Sequence, residues 1–73
     1  MNIPKEFICV TAQYDNRPAL IRVGCIESVT DNAEVKNGET VSFECRTINY
    51  SGRSINVTDS LEDIMNKIWD AEL

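Results

Sequence analysis

Few residues in this chain are of a type that could do chemistry: three cysteines and twelve carboxylates, with no histidine. The missing histidine removes the commonest general base and any Ser-His or Cys-His nucleophile system. Cys9, Cys25 and Cys45 form no C-x-x-C pair, and an odd count fits neither a closed disulfide framework nor a zinc site. Each lies in an apolar, strand-like context (F-I-C-V, V-G-C-I, F-E-C-R), where a free thiol behaves as a small buried hydrophobe. Glu62 and Asp63 are adjacent carboxylates, but neighbouring helix positions point in different directions, and the pair sits where a helix cap belongs. The stretch D-N-A-E-V-K-N-G-E, residues 31–39, lacks the spacing and terminal bidentate glutamate of a calcium loop. Gly24, Gly38 and Gly52 are too dispersed for a phosphate-cradling loop. The expectation is a protein that is not an enzyme, with no catalytic residue, no metal and no cofactor.

Charge and length narrow the partners. At 73 residues there is room for a single domain spanning residues 1–73, with a modest core. A composition of 42% hydrophobic and 26% charged residues is that of a chain that folds. The formal charge of −5, with seven scattered basic residues, opposes binding to a phosphate backbone, so no nucleic-acid partner is expected. No apolar run reaches the roughly 18 residues of a membrane span, and M-N-I-P-K-E-F-I-C-V does not read as a secretory signal. No membrane association and a cytoplasmic location are therefore expected. The triplets Asn49-Tyr50-Ser51 and Asn56-Val57-Thr58 match a glycosylation acceptor, a pattern frequent by chance that needs a secretory route.

The elements that would position these residues follow from periodicity. Phe7 to Ala12 is a dense run of β-formers, apolar at both parities, which predicts a strand covered on both faces. Gln13 to Pro18 has turn composition, and Ala19 to Val23 returns as a second strand. Gly24 permits a bend, after which Cys25 to Thr30 forms a short third strand. Residues 31–39 read as a solvated loop containing the tight-turn dipeptide Asn37-Gly38. Val41, Phe43 and Cys45 alternate with Ser42, Glu44 and Arg46, predicting a strand whose first set is buried.

A turn at Ser51-Gly52 leads to a last strand carrying Ile55 and Val57. Ser60 then caps a helix in which Leu61, Ile64, Met65, Ile68 and Trp69 form one apolar stripe. Trp69, at the end of the chain with Leu73, could anchor a partner, but it continues the stripe and is read as core packing; Glu62, Asp63, Asn66, Lys67 and Asp70 face water. The fold class is α+β: a small, mainly antiparallel sheet of four or five strands packed against one C-terminal amphipathic helix.

The order of these parts, together with Gly52-Arg53, Val57, Ser60, Glu62, Asp63, Ile64 and Ile68, resembles the FlbD family of small flagellar and swarming-motility proteins. The similarity runs from about Phe7 to Asp70 and is carried by turn, cap and core positions. The longer Q-Y-D-N-R-P turn and the three cysteines depart from the family pattern. The resemblance implies the hairpin-and-helix architecture and brings no catalytic residues with it.

The functional expectation is a small non-catalytic protein–protein interaction or regulatory module that self-associates, a homo-oligomer with a dimer favoured, and that has a further protein partner. The apolar second face of Phe7 to Ala12 and the open sheet edges motivate self-association. Candidate interface residues are Phe7 and Cys9 on that strand, Tyr14 and Tyr50 in the hairpin turns, and Arg46 and Arg53 beside Tyr50. The alternative is an acidic inhibitor, a nucleic-acid mimic of phage type, whose carboxylates fill a basic groove on a target protein.

Overall fold

The computed structural model describes Ile3 and residues 5–72, with side chains at 33–36 and 40–44 outside that description. Five antiparallel strands and one helix make an α+β fold: β1 (Phe7–Thr11), β2 (Pro18–Arg22), β3 (Ile26–Lys36), β4 (Glu39–Tyr50), β5 (Arg53–Val57) and α1 (Leu61–Glu72). A single 3-10 turn, Val23–Cys25, links β2 to β3 around the bend at Gly24. β1 pairs with β2, and β3-β4-β5 form a meander. The two sheets join where β1 ends. Ala12 bridges Val57, Thr58 N–H donates to Thr11 C=O at 3.0 Å, and Gln13 N–H donates to Asn56 C=O at 2.9 Å.

Strand alternation directs Ile8, Val10, Ile21, Ile48 and Val57 to one interior, and Ile64 of the helix closes it. Each of these side chains is at most 3% exposed. At about 1.5–3 kcal/mol for each fully buried aliphatic side chain, this cluster is the main source of stability. The outer face of the meander is polar. Thr47 Oγ1 donates to Asn56 Oδ1 at 2.7 Å and accepts from Asn32 Nδ2 at 3.1 Å, and Asn49 Nδ2 donates to Ser28 Oγ at 2.8 Å.

Both turns of the β3-β4-β5 meander use positive φ at two successive residues: Asn37 (53°) with Gly38 (82°), and Ser51 (47°) with Gly52 (76°). That is the two-residue turn whose twist matches the strands it joins. The second turn is also held from outside, because Gly52 N–H donates to Glu27 Oε1 at 2.9 Å and Ser51 N–H to Cys25 C=O at 3.2 Å.

Three expectations are corrected. Residues 31–39 are not a loop: β3 continues to Lys36 and pairs Ala33 with Ser42 through Lys36 with Glu39. The Asn37-Gly38 turn closes a hairpin whose main-chain ladder bonds hold the two strands, and such bonds leave no mark in the sequence. β5 covers only Arg46 to Tyr50 of β4, so beyond Arg46 the described pairings make a two-stranded ribbon. In β4 the expected burial holds at Cys45, but the parity that faces the core is the other one. Ile48 is fully buried, while Cys45, itself buried, lies near Asn32, which also holds the outward Thr47. Arg46 therefore falls on the inward parity; the side chains of Val41 and Phe43 lie outside the described residues.

The third correction concerns the helix. Ser60 does cap it, its Oγ accepting from Asp63 N–H at 3.1 Å, with Glu62 and Asp63 in the first turn at the positive end of the dipole. The apolar stripe, however, is not buried as a whole. Ile64 is buried and Ile68 and Ala71 pack against the core, whereas Met65 is 62% and Trp69 67% exposed. Trp69 is a surface residue.

Candidate functional site

Two features of α1 define the site: what ties its inner side to β1, and what its outer side presents. Along β1, main-chain groups alternate between the two edges of the strand. Val23 N–H donates to Glu6 C=O at 2.8 Å and Ala12 N–H to Arg17 C=O at 2.9 Å, so the even residues of β1 face β2. The groups of Cys9 and Thr11 therefore point to the other edge, toward the helix. There Asp59 Oδ1 accepts from Thr11 N–H at 2.6 Å, and Lys67 Nζ donates to Cys9 C=O at 2.8 Å. Lys67 and Asp59 pair with each other at 2.7 Å.

One carboxylate and one ammonium thus take the place of a neighbouring strand on this edge, blunting it against unwanted pairing. Burial alone would raise the pKa of Asp59. The hydrogen bond from Lys67, that from the Thr11 amide and the Lys67 charge outweigh it, holding the carboxyl below the usual carboxylate range. Beside this junction a cleft of about 550 Å³ is lined by Ile3, Phe7, Ile8, Cys9, Lys67 and Ala71, among others.

The outer side of α1 is different in kind. Leu61, Met65 and Trp69, spaced four residues apart, form a row that climbs the helix, and the last two are largely exposed. Single exposed apolar residues such as Leu20 and Ile3 are ordinary, but a row ending in tryptophan and methionine is a contiguous patch of the kind that marks contact surfaces. The charged residues exposed on the helix are Glu62, Asp63, Asp70 and Glu72, all acidic. Its one lysine is committed to β1.

The residues singled out from sequence do not converge. Tyr14 stands fully exposed between β1 and β2. Tyr50 ends β4, half-buried against the core, and pairs with the exposed Arg53 that opens β5. Arg46 is half-buried, its Nε 3.2 Å from Asp31 Oδ1 as an ion pair that is not aligned as a hydrogen bond. Phe7 is half-buried with the Arg22 guanidinium over its ring at 5.3 Å, a cation–π contact within the chain. Cys9 is half-buried opposite Leu20, and all three cysteines are free thiols.

Sequence reasoning missed the exposed row and the Asp59–Lys67 tie. A signal for the first was present: Leu61, Ile64, Met65, Ile68 and Trp69 span too wide an arc for a narrow sheet to cover. Among the described residues no helix is long and apolar enough to cross a membrane, and no three cysteine or carboxylate side chains gather as a metal site. Comparison with models of known families, with curated proteins and with solved structures finds no match for this chain.

Proposed function

We propose that this chain is a non-catalytic protein-interaction module that docks through the outer face of α1. One observation carries the reading: Trp69 and Met65, large side chains of the types that dominate contact surfaces, are 67% and 62% exposed in one row on a helix already anchored from its other side. The alternative of a nucleic-acid mimic has less support. Asp31, Asp59 and Glu27 are engaged internally, and the carboxylates left on the helix are split between its two sides, Glu62 and Glu72 by the apolar row and Asp63 and Asp70 away from it.

A photo-crosslinking residue at position 65, compared in the native host with one at Asn56 on the polar outer face of the meander, tests this. A discrete adduct at 65 that is absent at 56, and lost on Trp69→Ala, is the expected result. Equal yields at the two positions would refute the docking face.

Self-association is a second reading, favoured by a separate observation. The ribbon of β3 and β4 beyond Arg46 has a third strand on neither side among the described pairings, and open strand edges are templates for a second copy. Sedimentation at high micromolar concentration is expected to give a dimer, and a monomer mass would remove this reading.

A further inference from the structure

We infer that the partner of the α1 face is a cationic amphipathic helix, one whose apolar ridge is bordered by lysine or arginine. The inference rests on the docking role proposed above and assigns the chemistry of what docks. Leu61 to Trp69 is nine residues, eight steps of 1.5 Å or about 12 Å of helix, which is the reach of two to three turns of a partner helix. Such a row accepts apolar side chains spaced three and four apart.

The border is where the choice is made. Glu62 lies beside the row and Glu72 continues it at its C-terminal end, both exposed and both negative, while Asp63 and Asp70 lie round the far side of the helix. Lys67 contributes no positive charge to this face, because Asp59 and Cys9 C=O hold it on the opposite side at 2.7 and 2.8 Å.

A second copy of the chain fits this face poorly. Two such faces would set Glu62 and Glu72 against carboxylates of the other copy with no basic residue on either face to answer them, and the net charge of −5 adds repulsion at longer range. An anionic membrane surface or a nucleic acid meets the same repulsion. A basic border on the partner turns each of these carboxylates into a complementary contact, which sets register and speeds encounter.

The chain contains one tryptophan, and it is Trp69, so emission from the intact protein reports this face directly. The probes are three tryptophan-free synthetic peptides of about 18 residues: leucines at helical spacing with lysine elsewhere, the same with glutamate for lysine, and a scrambled leucine–lysine peptide. The patterned lysine peptide is expected to shift Trp69 emission to the blue and to bind about tenfold tighter than the scrambled one, a difference of about 1.4 kcal/mol. Rising salt weakens it, the glutamate peptide gives no shift, and Met65→Glu loses the binding while keeping the helical circular dichroism of the parent.

Equal binding of lysine and glutamate peptides overturns the assignment, as does equal binding of patterned and scrambled peptides. A comparable shift with phosphatidylcholine vesicles overturns it in favour of a lipid surface. If the position-65 adduct forms and the peptides show no preference for positive charge, the docking role stands and the partner class falls.

Discussion

Lys67 and Asp59 meet at 2.7 Å across the opening of α1, and each also holds a main-chain group of β1, Lys67 the carbonyl of Cys9 and Asp59 the amide of Thr11. The pair fastens the inner side of the helix to a strand more than forty residues away in sequence. Asp59→Ala leaves the Thr11 amide and the Lys67 ammonium without their acceptor. Hydrogen bonds to charged groups contribute about 1.5–3 kcal/mol each, so a loss of about 2–3 kcal/mol is expected in urea unfolding. Asp59→Asn, which can still accept from Thr11, should lose less.

The same carboxylate gives the stability a pH dependence. Burial opposes its ionisation, but Lys67 and the Thr11 amide hold its pKa in the folded chain below the unfolded value of about 3.9. The folded state therefore takes up a proton less readily than the unfolded state. The contribution of Asp59 is complete above the unfolded value and declines as pH falls through the folded one. Unfolding free energy measured from pH 6 downward should drop more steeply in the parent than in Asp59→Asn. Parallel curves would show that Asp59 is not the source.

Neighbouring helix positions should respond in opposite ways to truncation. Ile64 is fully buried, so Ile64→Ala is expected to cost about 2–5 kcal/mol by removing core contacts and leaving a cavity. Met65→Ala and Trp69→Ala remove largely exposed side chains and should fall within about 0.5 kcal/mol of the parent. Thermal unfolding of the three variants decides this. A Trp69→Ala loss as large as that of Ile64→Ala would place Trp69 in the core.

What could be read from the sequence was local. Ser60 announces the helix start because its cap bond spans three residues, and Ser51-Gly52 announces a hairpin because two successive positive φ values are set by the turn itself. What was hidden was either non-local or unpatterned. The contact of Lys67 with Cys9 joins residues 58 apart, and a lysine on a helix gives no sign of which way its long stem runs. The ribbon after Thr30 is set by ladder bonds, and in D-N-A-E-V-K two apolar residues, Ala33 and Val35, are too few to sustain the alternation that betrays a strand. Met65 and Trp69 read as inward because helical periodicity marks an apolar side without saying how much of it the sheet can cover.

Gly52 supplies the last test, one that separates backbone strain from crowding. Its φ is 76°, and a methyl group built at its Cα would meet nothing within 4 Å. Gly52→Ala should therefore cost only the left-handed conformation itself, about 1 kcal/mol, and leave β4 and β5 paired as they are. Gly52→Asn, which tolerates that region better than alanine, should recover part of the loss. Urea unfolding gives the magnitudes, and amide exchange at Ile48 and Ile55, which face each other across the hairpin, reports whether the pairing holds. A loss well above 2 kcal/mol in Gly52→Ala, or exchange released at Ile48, would mean that the turn governs the register of the whole meander and not merely its own two residues.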